Sequence, residues 1–429
     1  MKKQSSRRTF MQQTGALGAI LATSTPPAIL GQDSPGDRIV VGVIGMGRGR
    51  GHLGSYLKLK NVEVSHVCDL DPTRLGVGEK LVNGAQKQRK VKAVQEFQKI
   101  LEDRDVNLVS IAMPNFWHAS AAILAAQAGK HVYVEKPGSH NPWESKQMVE
   151  AARKNKRKMQ MGNQRRSMPY YREGIERLKA RVIGEVKYSR CWYKNARGSI
   201  NKGQYVDPPE WLNWEAWQGP TPERPYKDNL VHYNWHWHWH YGGGELANNG
   251  IHALDICRWG LGVDYPERVT CNGGRYHYED DQETPDTMYA TYHCGDRGAN
   301  FESSSCHPRR EEAIPFVSFY GTEGTLSFDG GGYTIYDLKG KEVERVKGSS
   351  SQDPHFQNIM DAIREDTPLN AEIGDAQISS MWCHLGNIAY RTRSTLDIEP
   401  TTGRVLNNPE AMALWKREYR PGWEEKLAL

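Results

Sequence analysis

Apolar positions fall into two textures along this chain. From Ile39 to about Met159 short apolar runs alternate with helix-period segments: Ile39-Val-Val-Gly-Val-Ile44, Val62–Cys68, Leu108–Pro114 and His131–Glu135 read as strands, and Ala119–Gly129 as an Ala-rich helix stopped by glycine. Continuous apolar strands separated by helices predict a parallel sheet covered on both faces. Beyond residue 160 the strands come with fewer crossover helices. Segments 186–193, 268–272, 287–293, 314–320 and 324–328 predict one large, open, mostly antiparallel sheet. Helices are expected over about 355–364 and 375–391.

These textures give a fold class of α/β plus α+β, with a leader and linker over 1–36, a doubly wound nucleotide-binding domain over 37–159 and a substrate domain over 160–429. A chain of 429 residues is too long for one compact core, so two domains also follow from length. The aromatic, Gly-rich stretch from Tyr205 to Gly244 is too long for a tight connection, and it is expected to fold over the site.

The first strand runs into Gly45-Met46-Gly47-Arg48-Gly49, and the second ends at Asp69, 24 positions after Gly45. Glycines at a strand end let the backbone approach a pyrophosphate, whose charge rests on the amides opening the next helix. Asp69 is placed to accept hydrogen bonds from an adenosine ribose. No Arg is its neighbour in sequence, which favours NAD over NADP. Ligands of such sheets bind beyond the carboxyl ends of the strands. Pro114, Asn115, His118, Glu135 and Lys136 therefore belong to the same cofactor mouth.

Charge and cysteines exclude more than they assign. The net charge of +5 comes from 56 Lys and Arg against 51 Asp and Glu. It gives no nucleic-acid signature, and the basic run 153–158 reads as a solvated helix end rather than a nucleic-acid patch. Arg7-Arg8 before a weakly apolar stretch from Thr14 to Ala22 looks like a twin-arginine export signal, too short for a stable membrane span. That implies export by the twin-arginine machinery to the periplasm or beyond, with the cofactor loaded beforehand and held tightly. The seven cysteines show neither framework nor metal spacing, so mostly buried thiols and no metal are expected.

Glu135-Lys136-Pro137 after its strand, Met113-Pro-Asn115-Phe-Trp-His118, Met161-Gly-Asn163-Gln-Arg165, the block Gly242–Asp255 and Gly321-Thr-Glu-Gly-Thr-Leu326 resemble the Gfo/Idh/MocA family of oxidoreductases, from about Arg38 to Arg393. The resemblance implies a Rossmann domain, an open-sheet domain for a sugar or cyclitol, and dimers or tetramers. It also implies Lys136 and His252 as catalytic residues, with Asn163, Arg165, Asn248 and Asn249 at the substrate. Lys136 is a relay or donor to the reacting hydroxyl, and His252, which titrates near neutrality, is the better base.

Family dehydrogenases commonly place Asp four residues before this histidine, where the chain has Asn248. An amide cannot stabilise an imidazolium by charge. Asp255 either orients His252 from the same helical face or pairs elsewhere. The run Asn234–Tyr241 has three readings. As a strand it puts His236, His238 and His240 on one face, which suits a metal, or a carbohydrate wall with Trp235, or a plain core strand. The leading function is an exported NAD-dependent oxidoreductase of sugars. A redox-neutral NAD-dependent glycosidase and a non-catalytic sugar-binding protein stand beside it.

Overall fold

The computed structural model describes residues 38–87 and 89–429; the leader read over 1–36 lies outside the described residues. The first sheet holds β1 (Ile39–Ile44), β2 (Val62–Cys68), β3 (Lys92–Val94), β4 (Leu108–Ile111), β5 (His131–Val134) and β6 (Met159–Met161), in the order β3-β2-β1-β4-β5-β6. Every pairing is parallel. All six residues of β1 are buried, as a central strand covered by helices on both faces requires. Between β1 and β4 the winding reverses. That switch point opens the crevice that becomes the site.

The second sheet comprises β7 (Val186–Lys194), β8 (Arg268–Gly274), β9 (Thr287–Cys294), β10 (Arg297–Ser304), β11 (Val317–Gly321), β12 (Gly324–Phe328), β13 (Gly332–Asp337), β14 (Glu342–Lys347) and β15 (Leu396–Asp397). Their order is β14-β13-β12-β11-β7-β10-β9-β8-β15, antiparallel except where β7 meets β10. Along β9, Met288, Ala290 and Tyr292 are buried while Tyr289, Thr291 and His293 face outward. One face thus packs on the helices Ile251–Leu261 and Ile373–Thr392. The other stays open. Among the described residues no helix is long and apolar enough to cross a membrane, and all seven cysteines are free thiols.

Two boundaries differ from the pattern reading. β6 continues the first sheet past residue 159. More consequentially, the helix Asp353–Glu365 returns to that sheet: Phe356, Ile359 and Met360 are fully buried in one cluster with Val41, Leu53 and Tyr133. The Gln352 side chain ties it to the glycine turn by donating to the Gly51 carbonyl.

The run Asn234–Tyr241 is not a strand. Asn234–Trp237 forms a 3-10 turn in which the His236 amide donates to Tyr233, that of His238 to Trp235 and that of Tyr241 to His238. With these amides spent on local turns and that of Trp239 on the Glu283 carboxylate, the segment builds no sheet ladder.

Candidate active site

Gly45 closes β1 with a φ of +86°, and a Cβ there would collide with the Ala112 carbonyl. Only glycine fits this turn. The Asp69 carboxylate braces it, accepting from the Met46 amide at 2.6 Å and the Asp71 amide at 2.9 Å. Burial nonetheless raises the pKa of this half-buried acid, so it profits from further donors.

Gly45, Gly47, Arg48, Asp69, Pro114 and Asn115 all line a cavity of about 1090 Å³ that also reaches Glu135, Lys136 and His252. A side-chain-free turn, an under-satisfied carboxylate on the next strand and this volume fit a dinucleotide. Met46 and Gly49 are not in the wall: the Met46 side chain is fully buried, and Gly49 opens the helix Gly49–Tyr56 close against Val43.

Arg74 corrects the inference drawn from Asp69's sequence neighbours. The helix Pro72–Ala85 carries it back to the cavity, 3.7 Å from Asp71, where its charge acts on Asp69. An arginine therefore does stand at the ribose end.

Glu135 is the hub of the inner end. Its Oε1 accepts from Arg48 Nε at 3.1 Å, His52 Nε2 at 3.0 Å and Gln164 Nε2 at 3.1 Å. His52 Nδ1 in turn lies 2.9 Å from the Ser110 hydroxyl, which accepts from Tyr56. Burial alone would raise the Glu135 pKa, but His52, Arg48 and Lys136 hold it well below the carboxylate range. The predicted cofactor ligand is instead an anchor for the floor. The sequence singles out neither His52, Tyr56 and Ser110, since lone polar residues inside buried elements carry no periodic signal, nor Gln164, which stands within a quoted motif in the polar turn Gln164–Ser167.

His118 faces the cavity with both ring nitrogens committed, 2.6 Å from the Pro137 carbonyl and 2.7 Å from that of Met113. It clamps the ends of β4 and β5 together, so its ring is held by protein rather than offered to a cofactor.

Lys136 Nζ donates to the Asn248 carbonyl at 2.6 Å and to Asn248 Oδ1 at 3.2 Å. Asn248 sits in a π turn, Leu246–Gly250, a geometry that recurs at functional sites. Burial lowers the Lys136 pKa to about 8; Glu135 opposes the shift and Arg48 and Arg165 add to it. Asn248 thus serves the lysine. A carboxylate in its place would raise that pKa.

His252 has no hydrogen-bond partner among the described residues and lines the cavity. Burial, then the charges of Arg165 and Lys136, hold its imidazole well below the ordinary value, so it is a neutral acceptor at neutral pH rather than a group titrating there. His236, stacked at 3.6 Å on Trp235, lines the wall too; its Nδ1 is spent on the Tyr233 carbonyl.

Five predicted substrate residues lie elsewhere. Asp255 is buried against Arg166, held by Arg166 Nε at 2.9 Å, and does not orient His252. Asn249 bonds Glu245, and His238 faces Glu283 at 3.6 Å. Asn163 is buried outside the wall, and Arg165 lies over the Phe316 ring while acting on His252 only through its charge. Among the described residues no group of three or more His, Cys, Asp or Glu side chains could hold a metal, so the histidine run does not build the metal site its strand reading suggested.

The roof is aromatic. Trp211, Trp217 and His232 from the 205–244 segment, with Arg420 and Trp423 from the C-terminal end, close over the crevice. Trp117 Nε1 donates to the Trp217 carbonyl at 2.8 Å, and His232 reaches Asp71 at 3.3 Å.

Known proteins resemble this chain in sequence and in fold. A model described as "Oxidoreductase family, NAD-binding Rossmann fold" matches residues 39–163, and one described as "Oxidoreductase family, C-terminal alpha/beta domain" matches 178–425. Among solved structures, the WlbA dehydrogenase from Bordetella pertussis in complex with NADH and UDP-GlcNAcA superposes with a TM-score of 0.65 at 17% identity, covering 84% of this chain and 99% of that one. Aldose-aldose oxidoreductase from Caulobacter crescentus, complexed with glycerol, does so at 0.63 and 17%, covering 84% of this chain and 100% of that one. At these identities they show the fold.

A glycosyl hydrolase family 109 protein from Shewanella pealeana is 31% identical over 175 residues, 36% of this chain and 38% of the relative. An alpha-N-acetylgalactosaminidase from Shewanella oneidensis is 28% identical over 179 residues, again 36% and 38%. The chain therefore spans less than half the length of these relatives. With both of its domains matched, one by each family model, the chain belongs to the Gfo/Idh/MocA family of NAD-binding oxidoreductases.

Proposed function

We propose that this oxidoreductase acts on a secondary hydroxyl of a sugar, cyclitol or sugar derivative. The observation that carries the reading is the meeting of Lys136, His252, His236 and Asn248 at the inner end of the dinucleotide cavity. NAD, when bound there, supplies the hydride acceptor. The residues do the rest. His252, neutral and unpartnered, takes the hydroxyl proton on a ring nitrogen; Lys136, protonated below its pKa of about 8, donates to the oxygen on which charge develops. Trp235 backs the His236 imidazole at 3.6 Å, and the remaining ring nitrogen of His236, Nε2, hydrogen-bonds a sugar hydroxyl. Asp69 favours NAD over NADP through its charge, although Arg74 beside it narrows that preference.

The test is single-turnover absorbance in the nicotinamide band, with purified holoprotein screened against sugars and cyclitols. A substrate-dependent change supports the reading. Sugar binding without any change would leave a binding protein.

The glycosidase relatives favour a second reading, in which the hydride returns and no cofactor is consumed. Aryl-glycoside turnover without an added carbonyl acceptor would select it. The paired Arg7-Arg8 supports export through the twin-arginine machinery to the periplasm, with Arg7→Lys plus Arg8→Lys expected to trap the protein in the cytoplasm. The open face of the second sheet supports a homodimer or tetramer, measurable by light scattering.

A further inference from the structure

A second cavity, of about 380 Å³, lies between the start of the helix Pro142–Lys154, the helix Ile373–Thr392, the segment after Trp239 and the C-terminal stretch around Arg417. The histidine-tryptophan run divides between the two cavities: Trp235 and His236 line the first, Trp239 and His240 the second.

Its wall is cationic in an unusual way. Arg224 and Arg391 stand exposed, and among the described residues neither guanidinium has an ion pair or a hydrogen bond; Arg391 lies 5.1 Å over the Trp239 ring. Arg417 spends Nη2 on Glu144 and the Phe116 carbonyl, both at 2.8 Å, while its buried Nε and Nη1 have no partner. Both ring nitrogens of His140 are likewise buried and unpartnered. Buried donors left unpaired cost about 1–3 kcal/mol each, so they mark a place where a partner belongs.

The negative groups are fewer. Lys416 in the wall is matched by Glu424; Glu418 is exposed there, and Glu283, behind the wall, is bound to the Trp239 amide. His240 and His384 share the cavity, but the first is held by the Pro222 carbonyl at 3.1 Å and the second by Ser139 at 2.8 Å, and the three rings do not converge on a metal. Burial and the surrounding arginines keep the His140 imidazole neutral, with one N–H to donate.

We propose that this cavity binds a tetrahedral oxyanion, phosphate or sulfate, free or as an ester on a sugar. Three guanidinium groups and an imidazole outnumber the two oxygens of a carboxylate and suit a group that accepts on four. The site is independent of the reading of the first cavity.

Holoprotein saturated with NADH, so that the pyrophosphate turn is filled, would be titrated calorimetrically with inorganic phosphate at low ionic strength. Binding of one phosphate per chain is expected, weakened about 10- to 100-fold by Arg391→Gln and by Arg224→Gln, since each removes a charge-assisted donor. The exposed Arg310→Gln should leave it unchanged. Because Arg224 has no side-chain partner, its variant keeps the test open if Arg391→Gln misfolds. Sulfate binding supports the proposal, and tighter binding of glucose 6-phosphate than of phosphate assigns the ester. Absent saturation, binding untouched by either variant, or acetate binding as tightly as phosphate overturns it.

Discussion

At the scale of single residues the site turns on how a buried charge is supported. Burial lowers the Lys136 pKa to about 8, and its partner Asn248 is an amide that adds no charge. Lys136→Ala should leave the dinucleotide bound, as read from its absorbance, while turnover falls by about 10²–10⁴; full turnover on a confirmed substrate would remove the lysine from the chemistry. Asn248→Asp tests the electrostatics with the sign fixed in advance. An opposite charge at hydrogen-bond distance favours the ammonium, so the alkaline limb of the kcat/KM profile should move up by about 1 pH unit or more. An unmoved limb would mean that Lys136 does not set it. Asp69→Ala removes the acid that braces the glycine turn and leaves Arg74 in the wall. NAD retention should weaken and selection against NADP relax, measured by titration of both cofactors.

Among elements, the roof contributed by 205–244 and the C-terminal end decides how the cofactor is kept. Two of its contacts with the first domain are unequal. The Trp117–Trp217 bond is buried, whereas the His232–Asp71 contact involves a histidine whose pKa is lowered by burial and by Arg74, so at neutral pH it is mostly uncharged. Trp117→Phe should therefore cost about 1–3 kcal/mol by stranding a buried carbonyl, and speed NADH release in a fluorescence chase. His232→Ala should change release by less than about 5-fold, because exposed pairs contribute about 0–1 kcal/mol. The reverse ranking would mean that the exposed contact latches the roof.

Across the whole molecule the two domains share structure. The helix Asp353–Glu365 follows eight of the nine strands of the second sheet in sequence, yet its Phe356 stacks at 4.7 Å on Tyr133 of β5. Phe356→Ala should cost about 3–5 kcal/mol in denaturant unfolding, as for other fully buried aromatics. A fragment of residues 38–163 lacks this helix and should fail to give a dispersed amide spectrum. A folded fragment would show that the returning helix is dispensable.

Local pattern was enough for the Rossmann strands, the glycine turn and Asp69, because apolar periodicity and glycine at a strand end are properties of neighbouring residues. Lys136 and His252 came instead from contiguous motifs that resemble those of a family, and both line the cavity. What local pattern could not supply was distance across the chain. Arg74 beside Asp69, Arg166 against Asp255, Asn248 beneath Lys136 and the helix Asp353–Glu365 on the first sheet are meetings between segments that no period or spacing connects. The Asn234–Tyr241 run failed for a related reason. Its alternation had the period of a strand, but a strand needs a partner strand's hydrogen bonds, and only the tertiary structure decided that this segment would spend its backbone groups on turns and on Glu283.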